Sequence, residues 1–568
     1  MFTARRRAGR RARPRFSRMI ASRRRAFAAV PAALAAVLAV SAVVPAGAAT
    51  SRPDPGDPRE GYARDELPLG RADLAEMRAT TTLQPGATLT KITRGVADGS
   101  SRWVVELSIP STTSSPDPDA PARAVQDAES AGAFVAKLSG AGFAAQATDV
   151  RQLGAADVPD GVIGRRVRLV ETFVDQAAAD GAVARLKAAG FTARSWYSGW
   201  DGGTPASGPW TMSVLTIDPK RFDGRLVGTY GPDLEKRETT SQLAARLGAT
   251  AAANAGFFVM DPKAGVEGDP AGIAAYDGRV VSEAVGDRPA VLLDARARQT
   301  RILRPGWAGT FRTGGRTHVL DGTNRVPGLI RNCGGTGDTP TDLPRHDVTC
   351  TDADELVLFT PAFGATTPAG PGREVVLDRR GRVVTTPTER GIALTAGQRS
   401  IQATGDAAGA LASLRVGDRV PVTATMTRGS GRPMHLRKDQ SVINGGPLLL
   451  RAGRTHITQK RDGMNQAVTG NPSFDYGWVL QRNPRTFIGT DRRGRTMIVA
   501  ADGRQTGHLG LLIPETAAVA KALGMREAMN LDGGGSTTLV ASGALATSPS
   551  DATGERPVGD AIAILPRR

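Results

Sequence analysis

The chain has 568 residues, 40% of them hydrophobic, with 68 Gly, 37 Pro and a net charge of +18. That length suits two to four domains, and the apolar content suits packed cores rather than a disordered polymer. The charge does not argue for nucleic acid: residues 1–25 hold 11 Arg and no acid, and the rest carries only +7, too little for a basic binding surface on a chain this long.

The arginine-rich start leads into an uncharged, alanine-rich run from Ala26 to Val44, closed by Ala46-Gly47-Ala48. Small residues at that spacing form a signal-peptidase site, and the run is too weakly apolar for a lasting span. Residues 1–48 therefore read as a signal peptide, with a mature start near Ala49. Arg24-Arg25-Ala26-Phe27 resembles a twin-arginine core; a long Sec signal is the other export route, and a single-pass anchor the remaining option. The chain is expected to be secreted or wall-associated, with no stable span after processing. Residues 49–90 open Pro- and charge-rich and read as a linker.

In 91–200 a pattern occurs twice. "FVAKLSGAGFAAQA" from Phe134 and "AVARLKAAGFTARS" from Ala182 each give an amphipathic helix, a stopping glycine (Gly142, Gly190) and a short strand. Each follows a strand, at Arg102–Ser108 and Gly164–Val170, so two strand–helix–strand units are expected. The Ala-x-x-Leu-x-x-Ala-Gly-Phe pattern resembles the SPOR domain, which implies peptidoglycan as a partner; a structural spacer is the alternative.

From 205 to 568 the texture is strand-rich. "WTMSVLTIDP" (Trp210 to Pro219) reads as a strand, and Ser241–Phe258 as a helix, a strand and a glycine turn. Residues 295–440 are strand-length runs broken by Gly and Pro, read as a β-rich insert. The only two cysteines, Cys333 and Cys350, have no metal-ligand spacing. In an exported protein they are expected to form a disulfide, worth roughly 3 kcal/mol for a loop of this size.

Four segments join a polar or acidic residue to glycines at the end of an apolar strand: "NAGFF" (Asn254–Phe258), "INGGPLLL" (Ile443–Leu450), "ADGRQTGHLG" (Ala501–Gly510) and "NLDGGGSTT" (Asn530–Thr538). Glycine lets main-chain amides turn inward and lets a ligand approach closely, and successive inward amides make an anion nest. No lysine follows the glycines as a phosphate-binding P-loop requires, and neither a G-x-S-x-G elbow nor HExxH occurs. With five His in the chain, a histidine-based triad has little material.

These segments, with "RTFIG" at Arg485, resemble the phosphodiester glycosidase family over roughly Trp210 to Arg568. The resemblance implies a mixed α/β domain that hydrolyses a sugar-1-phosphodiester to free sugar and phosphomonoester. It points to Asp532, Asp502, Arg485 and Asn254 as the catalytic set. Asp532 is expected as base or nucleophile, with Asp502 sharing or orienting it and Arg485 on phosphate. Asn444, Gly445, Gly446, His508, Gly533, Gly534, Gly535, Ser536 and Thr537 are the expected substrate contacts. No cofactor is required by the sequence; a divalent cation between the two aspartates and phosphate is compatible with the spacing but not demanded by it. A glycan-binding envelope protein without catalysis, or a phosphodiesterase cutting at phosphorus, would use the same loops. The expected fold class is α+β: a mixed, sheet-rich catalytic domain with flanking helices, preceded by small α/β SPOR-like repeats.

Overall fold

The computed structural model describes residues 66–110, 123–202, 206–465 and 472–567. The expected signal peptide and the first part of the expected linker lie outside them. No described helix is long and apolar enough to cross a membrane.

The central element is an eight-stranded antiparallel sheet. Its strands run in the order Glu76–Gln84, Ala87–Arg94, Trp210–Ile217, Thr496–Ala501, Arg485–Asp491, Met525–Asn530, Leu448–Arg451 and Arg454–Thr455. The first two correct the linker boundary: residues 76–94 are not a tether. They pair with each other as a hairpin, and Ala87–Arg94 pairs in turn with Trp210–Ile217, from Ala87–Ile217 to Arg94–Trp210. Leu89 and Ile92 are buried in that hairpin while its outer strand is mostly exposed, an edge built of Thr and charged residues as edges must be.

Two five-stranded sheets complete this body. One holds Ala251–Asn254 between Leu539–Ala541 and Ala561–Pro566; the other holds Gln440–Asn444 between Ala274–Tyr276 and Ala290–Asp294. Leu215, Ile488, Ile498, Ala253, Ile443, Met529, Ile562 and Ile564 are fully buried in one shared cluster. The runs of apolar residues without alternation follow from this, since such strands are covered on both faces. Residues within 295–440 form a further five-stranded, mostly antiparallel sheet around Arg399–Ala403 and a three-stranded one at Gly306–Thr313. They have their own core of Phe311, Leu358, Val375 and Ile401.

The two repeats fold as one module with the order strand–helix–strand–strand–helix–strand. Its strands are Trp103–Leu107, Ala145–Gln152, Gly161–Leu169 and Ala193–Tyr197, with helices Ala128–Gly140 and Gln176–Ala188. Asp127 and Asp175 start the helices by accepting from the amides of Ser130 at 2.7 Å and Ala178 at 2.8 Å, the usual aspartate N-cap. The module is docked, not dangling. The Ser473 hydroxyl bonds both main-chain groups of Val125, and the Tyr476 hydroxyl meets Arg166 and Arg168 at 3.0 Å each. Both residues belong to the short helix Pro472–Trp478. Glu106, buried beside them, is held down at about 2: burial opposes its charge, but Arg168 and Arg194 outweigh that.

One side chain ties the sheets together at the end that matters below. The Asn254 Nδ2 donates to the Asp532 carbonyl at 2.7 Å, and its Oδ1 accepts from Thr486 Oγ1 at 2.7 Å and the Thr538 amide at 3.0 Å. Replacing it strands three buried polar groups, each worth about 1–3 kcal/mol when left unpaired. We expect Asn254→Ala to cost at least about 3 kcal/mol in urea unfolding, against under about 1 kcal/mol for alanine at exposed Asp180.

Candidate active site

Strand register brings the expected residues to one edge. Arg485 pairs with Ala501, and Phe487 with Asn530, so the segments starting at 485, 502 and 531 leave the sheet side by side. They open on a cavity of about 410 Å³. Arg485, Asp532, Gly533, Gly534 and Ser536 line it, as do Arg504, Arg556, Trp478, Phe474 and Asn483. The rest of the lining includes His346 and Asp347 from the Cys333–Cys350 loop, Arg331 just before it, and Arg194 and Trp196 from the N-terminal module.

The disulfide is formed as expected, with its Cα atoms 5.2 Å apart. Its loop narrows the cleft: His346 and Asp347 lie between the cysteines. His346 is buried between Phe257 and Trp478, with ring centroids at 4.3 and 5.0 Å. Burial pushes its imidazole down to about 3, so it is neutral.

Several expected contacts lie elsewhere. The Asp502 carboxylate is buried away from the cavity, where it accepts from the Ser548 amide at 2.9 Å. His508 holds Thr211 Oγ1 at 3.0 Å and does not reach the site. Asn444 grips the Phe257 main chain through its Oδ1 and Nδ2 at 2.9 and 3.2 Å. Gly445 lets that turn press on Met529–Leu531, and Gly446 faces Met464. Thr537 and Gly535 are buried behind the lining, and Asn254 acts on main chain from beneath. These residues shape the floor without touching its contents.

Two of the three amides of the expected nest are already taken. The Gly533 amide donates to the Asp532 carboxylate at 2.9 Å and the Gly534 amide to the Pro484 carbonyl at 2.9 Å. What the glycines provide is room. A Cβ on Gly533 would stand 2.9 Å from the Pro484 carbonyl, one on Gly534 3.3 Å from the Arg504 guanidinium, and one on Gly535 would overlap that of Arg556. Gly534 is also left-handed, at φ 61°, where a side chain is strained.

The positive charge therefore comes from guanidinium groups. Arg556 is answered by Asp551 at 2.7 and 3.0 Å, and Arg331 by Asp347 at 3.0 Å. Arg485 and Arg504 have no carboxylate partner among the described residues. Arg485 donates to the Leu511 carbonyl at 3.0 Å and to that of Trp478, its guanidinium 5.0 Å from the Trp478 ring centroid. Arg504 donates to Asn483 Oδ1 at 2.9 Å. Burial and the Arg504 charge push Arg485 down to about 9; Arg504 is lowered by burial and then by Arg556. Neighbouring cations that lower one another's basicity, Arg504 that of Arg485 and Arg556 that of Arg504, make a place for an anion.

Two carboxylates face this charge in opposite states. Burial raises Asp532 to about 7, with the Asp347 charge adding to it and the Ser536 hydroxyl and Arg556 opposing. Asp347 also meets a burial penalty, but His346, Arg331 and Arg288 outweigh it and hold its carboxyl below the usual range. Among the described residues, no cluster of three or more His, Cys, Asp or Glu could hold a metal ion. Sequence reasoning missed Asp347, Arg504 and Arg556. Arg504 stood inside a quoted motif, but no local signal marked the other two.

Comparison with known proteins follows this geometry. A family model described as phosphodiester glycosidase matches residues 372–565. N-acetylglucosamine-1-phosphodiester alpha-N-acetylglucosaminidase from Mus musculus is 35% identical over 114 residues, 19% of this chain and 21% of that one. The Homo sapiens protein of the same name is 36% identical over 110 residues, again 19% and 21%. The chain thus spans about a fifth of the length of these curated relatives. A crystal structure of a Burkholderia pseudomallei protein, whose name proposes export and states no activity, is 32% identical with a TM-score of 0.78. That match covers 88% of this chain and 98% of the other.

A carboxyl raised by folding favours the folded state while protonated. Its contribution is therefore full below the ordinary carboxylate pKa and is lost as pH climbs through about 7. We expect Asp532→Asn to be more stable than the native chain at pH 8, by at most about 4 kcal/mol, and close to it at pH 4, measured by denaturant unfolding at both values.

Proposed function

We propose, from the match of residues 372–565 to the phosphodiester glycosidase family, that the chain hydrolyses sugar-1-phosphodiesters, releasing free sugar and a phosphomonoester. The observation that carries this reading is the pairing, in one cavity, of two guanidiniums without a carboxylate partner among the described residues with two carboxylates, Asp532 and Asp347.

In an ordinary glycoside the leaving alkoxide is basic and must be protonated. A phosphomonoester leaves as a weak base, so its departure depends on charge neutralisation. Arg485, buried, and Arg504, open to solvent, supply that. As the bond from C1 to the phosphate oxygen breaks, both its electrons go to that oxygen, and positive charge develops at C1. Asp347, kept ionised, stabilises this oxocarbenium-like carbon. Asp532, poised near neutrality, takes a proton from water as the water oxygen bonds to C1. Asn254 positions Asp532 through its carbonyl.

The arginine-rich leader and the disulfide support export and a substrate among envelope or extracellular glycans; an N-terminus of the exported protein near Ala49 would agree with this. Peptidoglycan binding by the repeat module remains a separate proposal, resting on its sequence pattern alone.

With an aryl sugar-1-phosphodiester, kcat/KM should rise with pH through about 7 and then level, because the base works deprotonated. Asp532→Asn should lose about a thousandfold in kcat and that pH limb, and Arg504→Gln about a hundredfold in kcat/KM. In ¹⁸O water the label should appear on the sugar. Label on phosphate would establish cleavage at phosphorus instead, and full activity of Asp532→Asn would remove Asp532 from the mechanism.

A further inference from the structure

The strand Ala193–Tyr197 brings two side chains of the N-terminal module into the cavity. Behind them lies a cluster of three cations, Arg166, Arg168 and Arg194, and two carboxylates, Glu106 and Asp201. The acids are 1% and 3% exposed, whereas the Arg194 side chain is 47% exposed. The charge left over is therefore positive, and the member open to water is the one at the cavity. Arg194 is also held in place: Glu106 bonds its Nε at 3.1 Å, and its guanidinium lies 4.4 Å above the Trp196 ring. Trp196 in turn donates to Asp201 Oδ1 at 3.0 Å.

A second observation points the same way. Gln481 lines this part of the cavity and is 2% exposed; its Oε1 lies 3.5 Å from Arg194, and its buried Nε2 has no acceptor among the described residues. A buried amide donor without an acceptor is costly unless a bound group completes it. The Arg194 charge is also felt at Arg504, so this patch adjoins the pair assigned to the scissile phosphate.

We propose that Arg194, Gln481 and the Trp196 face form a second anion subsite, which takes a phosphate on the aglycone beyond the one being released. This rests on the reading of the cavity as a sugar-phosphate site. The substrate is then a unit of a repeating phosphodiester chain or a similarly polyanionic conjugate, rather than an isolated sugar phosphodiester with a neutral aglycone. The module acts as the part of the enzyme that reads the leaving side.

The test is titration calorimetry on the full chain with glycerol 1-phosphate and glycerol 1,3-bisphosphate, which needs no turnover. The native protein should bind the bisphosphate about tenfold or more tightly, the value of one charge-assisted contact. Arg194→Gln should bring the two ligands within about twofold of each other while leaving the monophosphate affinity unchanged. Arg194→Lys should keep most of the preference, and Gln481→Leu, which leaves Arg194 on Glu106, should weaken it. Equal binding of both ligands by the native protein, or an undiminished preference in Arg194→Gln, overturns the subsite. Failure of the native protein to release sugar from any sugar-1-phosphodiester, with the bisphosphate preference intact, would overturn the hydrolase reading and leave the subsite standing.

Discussion

Asn254 is the constraint on which the site depends. Its one side-chain amide meets three pieces of chain at once, where main-chain bonds join them only two at a time: the Asp532 carbonyl, the Thr486 hydroxyl beside Arg485, and the Thr538 amide beyond the glycines. An amide suits this place because it donates on one side and accepts twice on the other while carrying no charge. A carboxylate could accept from Thr486 and Thr538 but would repel the Asp532 carbonyl. The residue never touches the cavity, yet it fixes where the carboxyl of Asp532 can be, and a small displacement there is expensive in rate.

Above that floor the site is assembled from parts distant in the chain. Four arginines come from the central body and the insert, a fifth from the N-terminal module, and the two carboxylates from loops 185 positions apart in the sequence. The electrostatics make sense only in this assembled state. Asp532 is raised partly because Asp347 faces it, and Asp347 is lowered partly by Arg331 and Arg288, which lie outside the disulfide loop that carries it. Neither shift belongs to a segment alone.

This explains what the sequence could and could not say. Apolar strands ending in glycine announced Arg485, Asp532 and the glycine run, because sheet edges and sharp turns leave local signatures. The two helix–glycine–strand repeats were legible for the same reason. The first hairpin of the central sheet was hidden, since Glu76–Gln84 is an exposed Thr- and charge-rich edge and its neighbour Ala87–Arg94 joins the sheet only through the distant strand Trp210–Ile217. Asp502 and Asp532 both precede glycine, but the Asp502 side chain turns back to Ser548, a choice made by tertiary packing. Asp347 and Arg194 became part of the site only when a disulfide loop and a separate module closed over the sheet edge. No periodicity records such an approach.

The triple glycine has a consequence for how the chain can vary. Its members look interchangeable, as a flexible hinge would be, yet each vacancy is claimed by a different neighbour: a carbonyl, Arg504 and Arg556 in turn. The run is three adjoining sockets and no hinge. Adding a methyl group at the first position pushes on the main chain before Arg485, at the second on an arginine with no acidic counterweight, and at the third on an ion pair. Three apparently equal substitutions would thus disturb three different physical quantities: sheet-edge geometry, anion affinity and local charge balance.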